Sequence, residues 1–209
     1  MSGIIMNTKS GKYILKRIID IFGSIICLLL FSPFLIIIPV VIKIDTRGPV
    51  FFLQKRVGKN GETFFTYKFR TMVENAEKLF RKDYKDEDLS DLIFQEKDDP
   101  RITRTGRILR RGFDELPQLF NVLKGDMSLV GPRPEIPEIV KYYSSKDRIR
   151  LRVKPGITGL AVLRGRGDIP LKETIKYDLE YIENWSLYLD VKILIQTLFI
   201  VLVTGKGAR

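Results

Sequence analysis

The chain has 209 residues, 44% of them apolar, which suits one domain with an appendage and is too few for a polytopic membrane protein. A total of 36 Lys and Arg against 25 Asp and Glu leaves a formal net charge of +11, so an anionic partner is expected: nucleic acid, acidic lipid or a phosphate-rich substrate. Histidine is absent and the single cysteine, Cys27, lies in an apolar run, which excludes an intramolecular disulfide, a zinc-thiolate site and histidine acid-base chemistry.

An uncharged stretch runs from Ile21 to Ile42, close to the ~20 residues a helix needs to span a bilayer. It is too long for a secretory signal, lacks a cleavage site, and has no polar face to mark a soluble core helix. Ser32-Pro33 falls at its middle. Proline cannot donate to the carbonyl of Leu29 and kinks the helix there, while the Ser32 hydroxyl can bond the freed carbonyl. Lys12, Lys16 and Arg17 precede the stretch, and Lys43, Arg47, Lys55 and Arg56 follow it. Basic flanks on both sides fit a helix that enters, bends and returns to the same face. A single-pass anchor with a proline kink remains the other reading of these residues.

Beyond Gly48-Pro49, Val50 to Leu53 and Thr63 to Phe69 read as two strands joined by a turn around Asn60-Gly61, which favours a hairpin. A helix is predicted from after Thr71 to about Tyr84, and the acidic stretch Asp83 to Asp99 reads as a surface loop. Arg101, Arg104, Arg107, Arg110 and Arg111 recur at helical spacing and predict a basic stripe, either solvated or facing phosphates and anionic lipid. Asp114-Glu115 is an adjacent carboxylate pair, backed by Asp126, suited to sharing Mg²⁺ and to leaving one carboxylate free to attack phosphorus. Pro132-Arg133-Pro134 locks the backbone around one guanidinium, a form suited to forked phosphate recognition. Lys154 to Gly159 reads as a rigid turn, and Arg164-Gly165-Arg166-Gly167 offers two more guanidiniums. Val191 to Thr204 reads as a helix in the core or at an interface.

In order along the chain come Lys16-Arg17 with Asp20, Ser32-Pro33, Gly48-Pro49, Gln54 with Arg56, Lys68-Phe69-Arg70-Thr71, Asp99-Pro100-Arg101, Asp114-Glu115-Leu116-Pro117, Asn121 to Ser128, Gly131-Pro132-Arg133-Pro134 and Pro155 to Gly159. In this array the chain closely resembles the bacterial sugar transferase family, the monotopic polyprenyl-phosphate phosphoglycosyl transferases, in a minimal catalytic form. The resemblance implies an α+β fold: a re-entrant helix-break-helix over residues 1–45, broken at Ser32 and Pro33, then a mostly helical cytoplasmic domain over 46–209 with a small β-hairpin and interfacial amphipathic helices. It implies a location on the cytoplasmic face of the bacterial inner membrane, among anionic lipids, and transfer of a sugar-1-phosphate from a UDP-sugar to undecaprenyl phosphate. By the same resemblance Asp114 is the nucleophile that forms an aspartyl phosphosugar and releases UMP, Glu115 together with Asp114 holds Mg²⁺, and Lys68, Arg70, Arg133 and Arg166 bind phosphates. Nucleic acid is then no expected partner. A homodimer is compatible with the family, and the resemblance identifies neither the sugar nor the glycan, whether capsule, O-antigen or exopolysaccharide.

Val162 and Gly167 depart from the family pattern, which has glutamine and asparagine there, and leave the roles of Arg164 and Arg166 open. Two rival readings survive at this stage. A non-catalytic membrane adaptor accounts for the charge but not for Asp114-Glu115 beside a proline-locked arginine. Direct transfer with Asp114 serving only the metal keeps the substrates and drops the covalent step.

Overall fold

The computed structural model describes residues 2–76, 99–165 and 169–201, with side chains from residue 11 onward. Helix α1 (Ser2–Leu30) runs through Phe31 into α2 (Ser32–Asp45), and the two are bent by 60°. The bend has the local cause read from the sequence. Pro33 in the first turn of α2 removes a donor, and the Ser32 hydroxyl bonds Leu29 O at 2.8 Å in its place. No single described helix is long and apolar enough to cross a membrane; the bent pair passes that test only together. Around the bend the surface is apolar and open, with Leu29, Leu30 and Ile36 each about 70% exposed.

The inner side of α1 is fixed to the rest of the chain by its polar residues. Lys16 Nζ bonds Asp190 at 2.7 Å and Val130 O at 3.0 Å. Arg17 donates to Val122 O and Leu123 O, two carbonyls in the last turn of a short helix, α4 (Gln118–Lys124). Asp20, buried, accepts from Ser128 Oγ and from Leu129 N, both at 2.9 Å. Asp190 lies on the last described helix, α8 (Leu187–Phe199), so one carboxylate ties the first helix to the last.

Strands β1 (Phe51–Val57) and β2 (Thr63–Phe69) form an antiparallel hairpin in which Phe52 faces Lys68 and Gln54 faces Thr66. Its turn takes Asn60 and Gly61 to positive φ, the conformation the Asn-Gly pair tolerates. Beyond the hairpin, Met72 bridges Ile102, and the helix expected after Thr71 is reached only at Ala76. The rest of that expected helix and nearly all of the acidic stretch lie outside the described residues.

The basic stripe is helical only over α3 (Arg104–Leu109). Arg101 turns back onto Asp99, and Arg110 Nε donates to Thr71 Oγ1 at 3.2 Å. A second, parallel two-stranded sheet joins β3 (Ser128–Val130) to β4 (Gly156–Thr158), where the sequence reading placed only a turn. The short α5 (Pro137–Val140), a 3-10 stretch (Asp147–Arg152), α6 (Leu160–Gly165) and α7 (Leu171–Glu183) make up the rest of the described domain. Ile139, Leu171, Ile175 and Leu179 share one apolar cluster, while Val122, Met127, Val130 and Ile193 form a second under α1. A third, Ile38, Ile42, Phe69 and Leu109, joins α2 to the hairpin and α3.

The clamp at Asp20 can be tested directly. Asp20→Ala strands a backbone N–H and a hydroxyl, at about 2–3 kcal/mol. For a chain of this size that corresponds to a melting temperature lower by roughly 4–10 °C in detergent, with Asp20→Asn falling less. An unchanged melting temperature would show that this contact does not hold α1.

Candidate active site

Past the end of α3, Gly112 takes the left-handed region (φ +117) and turns the chain into a single 3-10 turn, Phe113–Glu115, immediately ahead of Pro117 and α4. The turn presents two adjacent carboxylates with different fates. Phe113 packs toward α2 and the apolar cluster beneath it, its ring 5.4 Å from that of Phe34 in the first turn of α2. Glu115 turns inward and is buried. Its Oε1 accepts from Lys68 Nζ at 2.7 Å and from Arg133 Nη2 at 3.2 Å. Residues 68, 115 and 133, far apart in the chain, thus meet on one oxygen.

Asp114 is left without such a partner: its Oδ1 is buried and makes no hydrogen bond. Burial first, and the neighbouring Glu115 charge second, push its carboxyl up to about 7, with Lys68, Arg110 and Arg133 offsetting only part of this. Burial acts on Glu115 in the same direction, but Lys68 and Arg133 outweigh it and hold that carboxyl well below the usual range. Burial lowers the Lys68 ammonium, and Glu115 opposes the drop. The pair is split into a fixed anion and an exchangeable carboxyl, a pattern typical of reaction centres.

Each segment has its own support. Lys68 sits on the inner face of the hairpin, and the edge of β2 is docked onto α4 by Asn121, whose Oδ1 accepts from Tyr67 N at 3.0 Å and whose Nδ2 donates to Phe65 O at 2.8 Å. Arg56, on the same hairpin face, donates to Pro134 O at 2.9 Å and to Gln54 Oε1.

The other expected site residues lie elsewhere. Arg70 is buried, and its guanidinium bonds Arg47 O at 2.7 Å and both oxygens of Thr46, so it caps the end of α2 and does not join Lys68 and Arg133 on the dyad. Asp126 does not back the pair: it stands past the far end of α4, bonded to Lys124 and Asn121. Arg164 is exposed, against Glu180 and the Tyr177 ring. Arg166 and Gly167 fall outside the described residues.

Comparison with known proteins decides the family. The sequence model of the family described as "Bacterial sugar transferase" matches residues 11–204. The chain belongs to the bacterial sugar transferases. Among the relatives of this sugar transferase, the galactosyl transferase CpsE of Streptococcus agalactiae is 44% identical over 203 residues, covering 96% of the chain and 45% of CpsE. The exopolysaccharide production protein ExoY of Sinorhizobium fredii is 36% identical over 191 residues, covering 88% of the chain and 83% of ExoY. A UDP-N-acetylgalactosamine-undecaprenyl-phosphate N-acetylgalactosaminephosphotransferase of Aeromonas hydrophila is 43% identical over 204 residues, covering 93% of the chain and 45% of that protein. The sugar transferase therefore spans less than half the length of two of these relatives and most of the third.

Sequence reasoning missed Arg56 and Asn121 as supports of the site. Their motif positions were visible, but nothing in the sequence indicates that their polar groups meet backbone across the fold.

The raised Asp114 carboxyl has a consequence for stability. A group whose folded-state pKa is raised stabilises the fold below its unfolded value of about 4, and that contribution is lost as pH rises through about 7. In EDTA, Asp114→Asn is expected to melt several degrees above the parent at pH 8, with the gap narrowing towards pH 5. A gap that does not change with pH would place Asp114 in a solvated setting.

Proposed function

We propose that this chain transfers a sugar-1-phosphate from a UDP-sugar to undecaprenyl phosphate through a covalent intermediate on Asp114. The observation that carries the reading is the buried, unpartnered Asp114 Oδ1 beside a Glu115 whose charge Lys68 and Arg133 already neutralise. The names of relatives that include undecaprenyl phosphate support the acceptor, and the name of the Aeromonas relative supports a UDP-linked donor.

In the first step an Asp114 carboxylate oxygen attacks the β-phosphorus of the donor. The bond from that phosphorus to the bridging oxygen breaks, UMP leaves with the electron pair, and an aspartyl phosphosugar remains. In the second step an oxygen of the undecaprenyl phosphate attacks the same phosphorus. The bond to Asp114 breaks, the carboxylate is restored, and undecaprenyl diphosphosugar departs. Lys68 and Arg133 orient the phosphates and balance their charge, which is most of what phosphoryl transfer asks of a protein.

The described residues hold no cluster of three or more His, Cys, Asp or Glu, so Mg²⁺ would rest on Asp114 and Glu115 together with donor phosphate oxygens. The orphaned Asp114 oxygen fits that role. When bound, the ion would neutralise charge on the diphosphate and on the departing UMP.

The open apolar surface around the 60° bend supports a re-entrant seat for α1 and α2 in the bacterial inner membrane, with the remainder on the cytoplasmic face among anionic lipids. A homodimer remains compatible with this placement.

Incubation with a UDP-sugar and no lipid acceptor is expected to release UMP in an amount stoichiometric with enzyme and to leave a phosphosugar adduct on Asp114. Asp114→Asn should lower turnover at least about a thousandfold, and chelation of divalent cations should suppress release. UMP release only in the presence of undecaprenyl phosphate, with no adduct, would overturn the covalent scheme in favour of direct transfer. No release from any UDP-sugar in a panel would remove the enzyme reading.

A further inference from the structure

Four consecutive carbonyls of the segment that delivers Arg133 each have a fixed donor. Pro132 O accepts from Gly156 N at 2.9 Å, Arg133 O from Arg150 Nη2 at 2.8 Å, Pro134 O from Arg56 Nη1 at 2.9 Å, and Glu135 O from Val57 N at 2.8 Å. The segment has no helix of its own and forms only an isolated bridge, Val57 to Glu135, so its shape is imposed by these neighbours. At its start the backbones of Gly131 and Gly156 approach so closely that a Cβ on Gly156 would stand 2.1 Å from Gly131 N.

Arg150 is the buried member of this set, only 3% exposed. Its fork is fully engaged: Nη2 also bonds Asp178 Oδ2, Nη1 bonds the Tyr143 hydroxyl, and Glu135 Oε1 stands 4.0 Å away. Asp178, on α7, is 1% exposed. Such a pair is a weak source of net stability, because both charges must be taken out of water. None of Arg150's hydrogen bonds reaches Asp114 or Glu115; its link to the dyad runs through the carbonyl of Arg133, whose own guanidinium bonds Glu115.

We propose that Arg150, held by Asp178, is a positioning residue that fixes the Arg133 backbone so that the Arg133 guanidinium meets Glu115. This rests on the reading of Arg133 as a phosphate-facing group in the transfer reaction. Lysine at position 150 keeps a positive charge for Asp178 but lacks the planar fork that serves Asp178, Tyr143 and the Arg133 carbonyl together.

The test is a double-mutant cycle on the detergent-solubilised full chain. Turnover of a UDP-sugar that supports UMP release is measured alongside thermal melting. Arg133→Ala is expected to lower kcat about 100-fold. Arg150→Lys is expected to lower it about tenfold with donor KM nearly unchanged, as loss of one positioning bond should. The double variant should be no slower than Arg133→Ala alone, because no guanidinium remains to be positioned. Losses that multiply, to roughly a thousandfold, would mean that Arg150 acts only by weakening the fold, and would overturn the proposal while leaving the role of Arg133 intact. Native turnover by Arg133→Ala would instead remove that role and the proposal with it. Should Arg150→Lys melt below the assay temperature, Asp178→Asn, which keeps an acceptor for Arg150, is taken through the same cycle with the same opposed outcomes.

Discussion

One oxygen, Oε1 of Glu115, organises the site. A carboxylate taken out of water must be paired, and this one is paired twice, by an ammonium from the hairpin and a guanidinium from the proline-flanked loop. Removing either cation would leave buried charge poorly compensated, a defect on the order of 3–5 kcal/mol. The hairpin, the 3-10 turn and the loop are thereby held in one arrangement. The same pairing leaves Asp114 with burial and a negative neighbour and no fixed donor on its Oδ1, conditions that suit a side chain required to form and break a bond.

Much of this was legible because it is local. The helix break follows from Pro33 removing a donor and Ser32 supplying one within a single turn, and the Leu29 carbonyl receives the bond the sequence predicts. The hairpin follows from two runs of β-prone residues around Asn60-Gly61, and the second strand matches its expected bounds. The carboxylate pair and the Pro132-Arg133-Pro134 lock were visible as residue types in a rigid setting, and the structure brings Glu115 and Arg133 into contact.

What the sequence could not convey is where a charged side chain sends its donors. Lys68 and Arg70 lie two residues apart, and continuing the alternation of the strand would put them on the same face. The chain leaves the ladder after Phe69, however, and Arg70 turns to the Thr46 and Arg47 carbonyls at the end of α2. Arg17, Arg56 and Arg150 likewise donate to backbone carbonyls, a role set by fold geometry that leaves no mark in residue spacing. Asp126 was misplaced for a related reason: α4 intervenes, and its length carries the side chain to the opposite end from the dyad. The β3–β4 ladder escaped notice because three-residue strands carry too little pattern to separate from a turn.

The contact between Phe34 and Phe113 adds an aromatic tie to the apolar cluster that already joins α2 to the hairpin and α3. Phe34 follows the break at Ser32-Pro33, and Phe113 precedes the carboxylate that would form the bond to phosphorus. With the bent pair seated in lipid as proposed, the angle of the bend and the position of Asp114 would move together. Acyl-chain length and lateral tension would then act on turnover mechanically, through this ring pair and the apolar cluster beside it, without any headgroup being recognised.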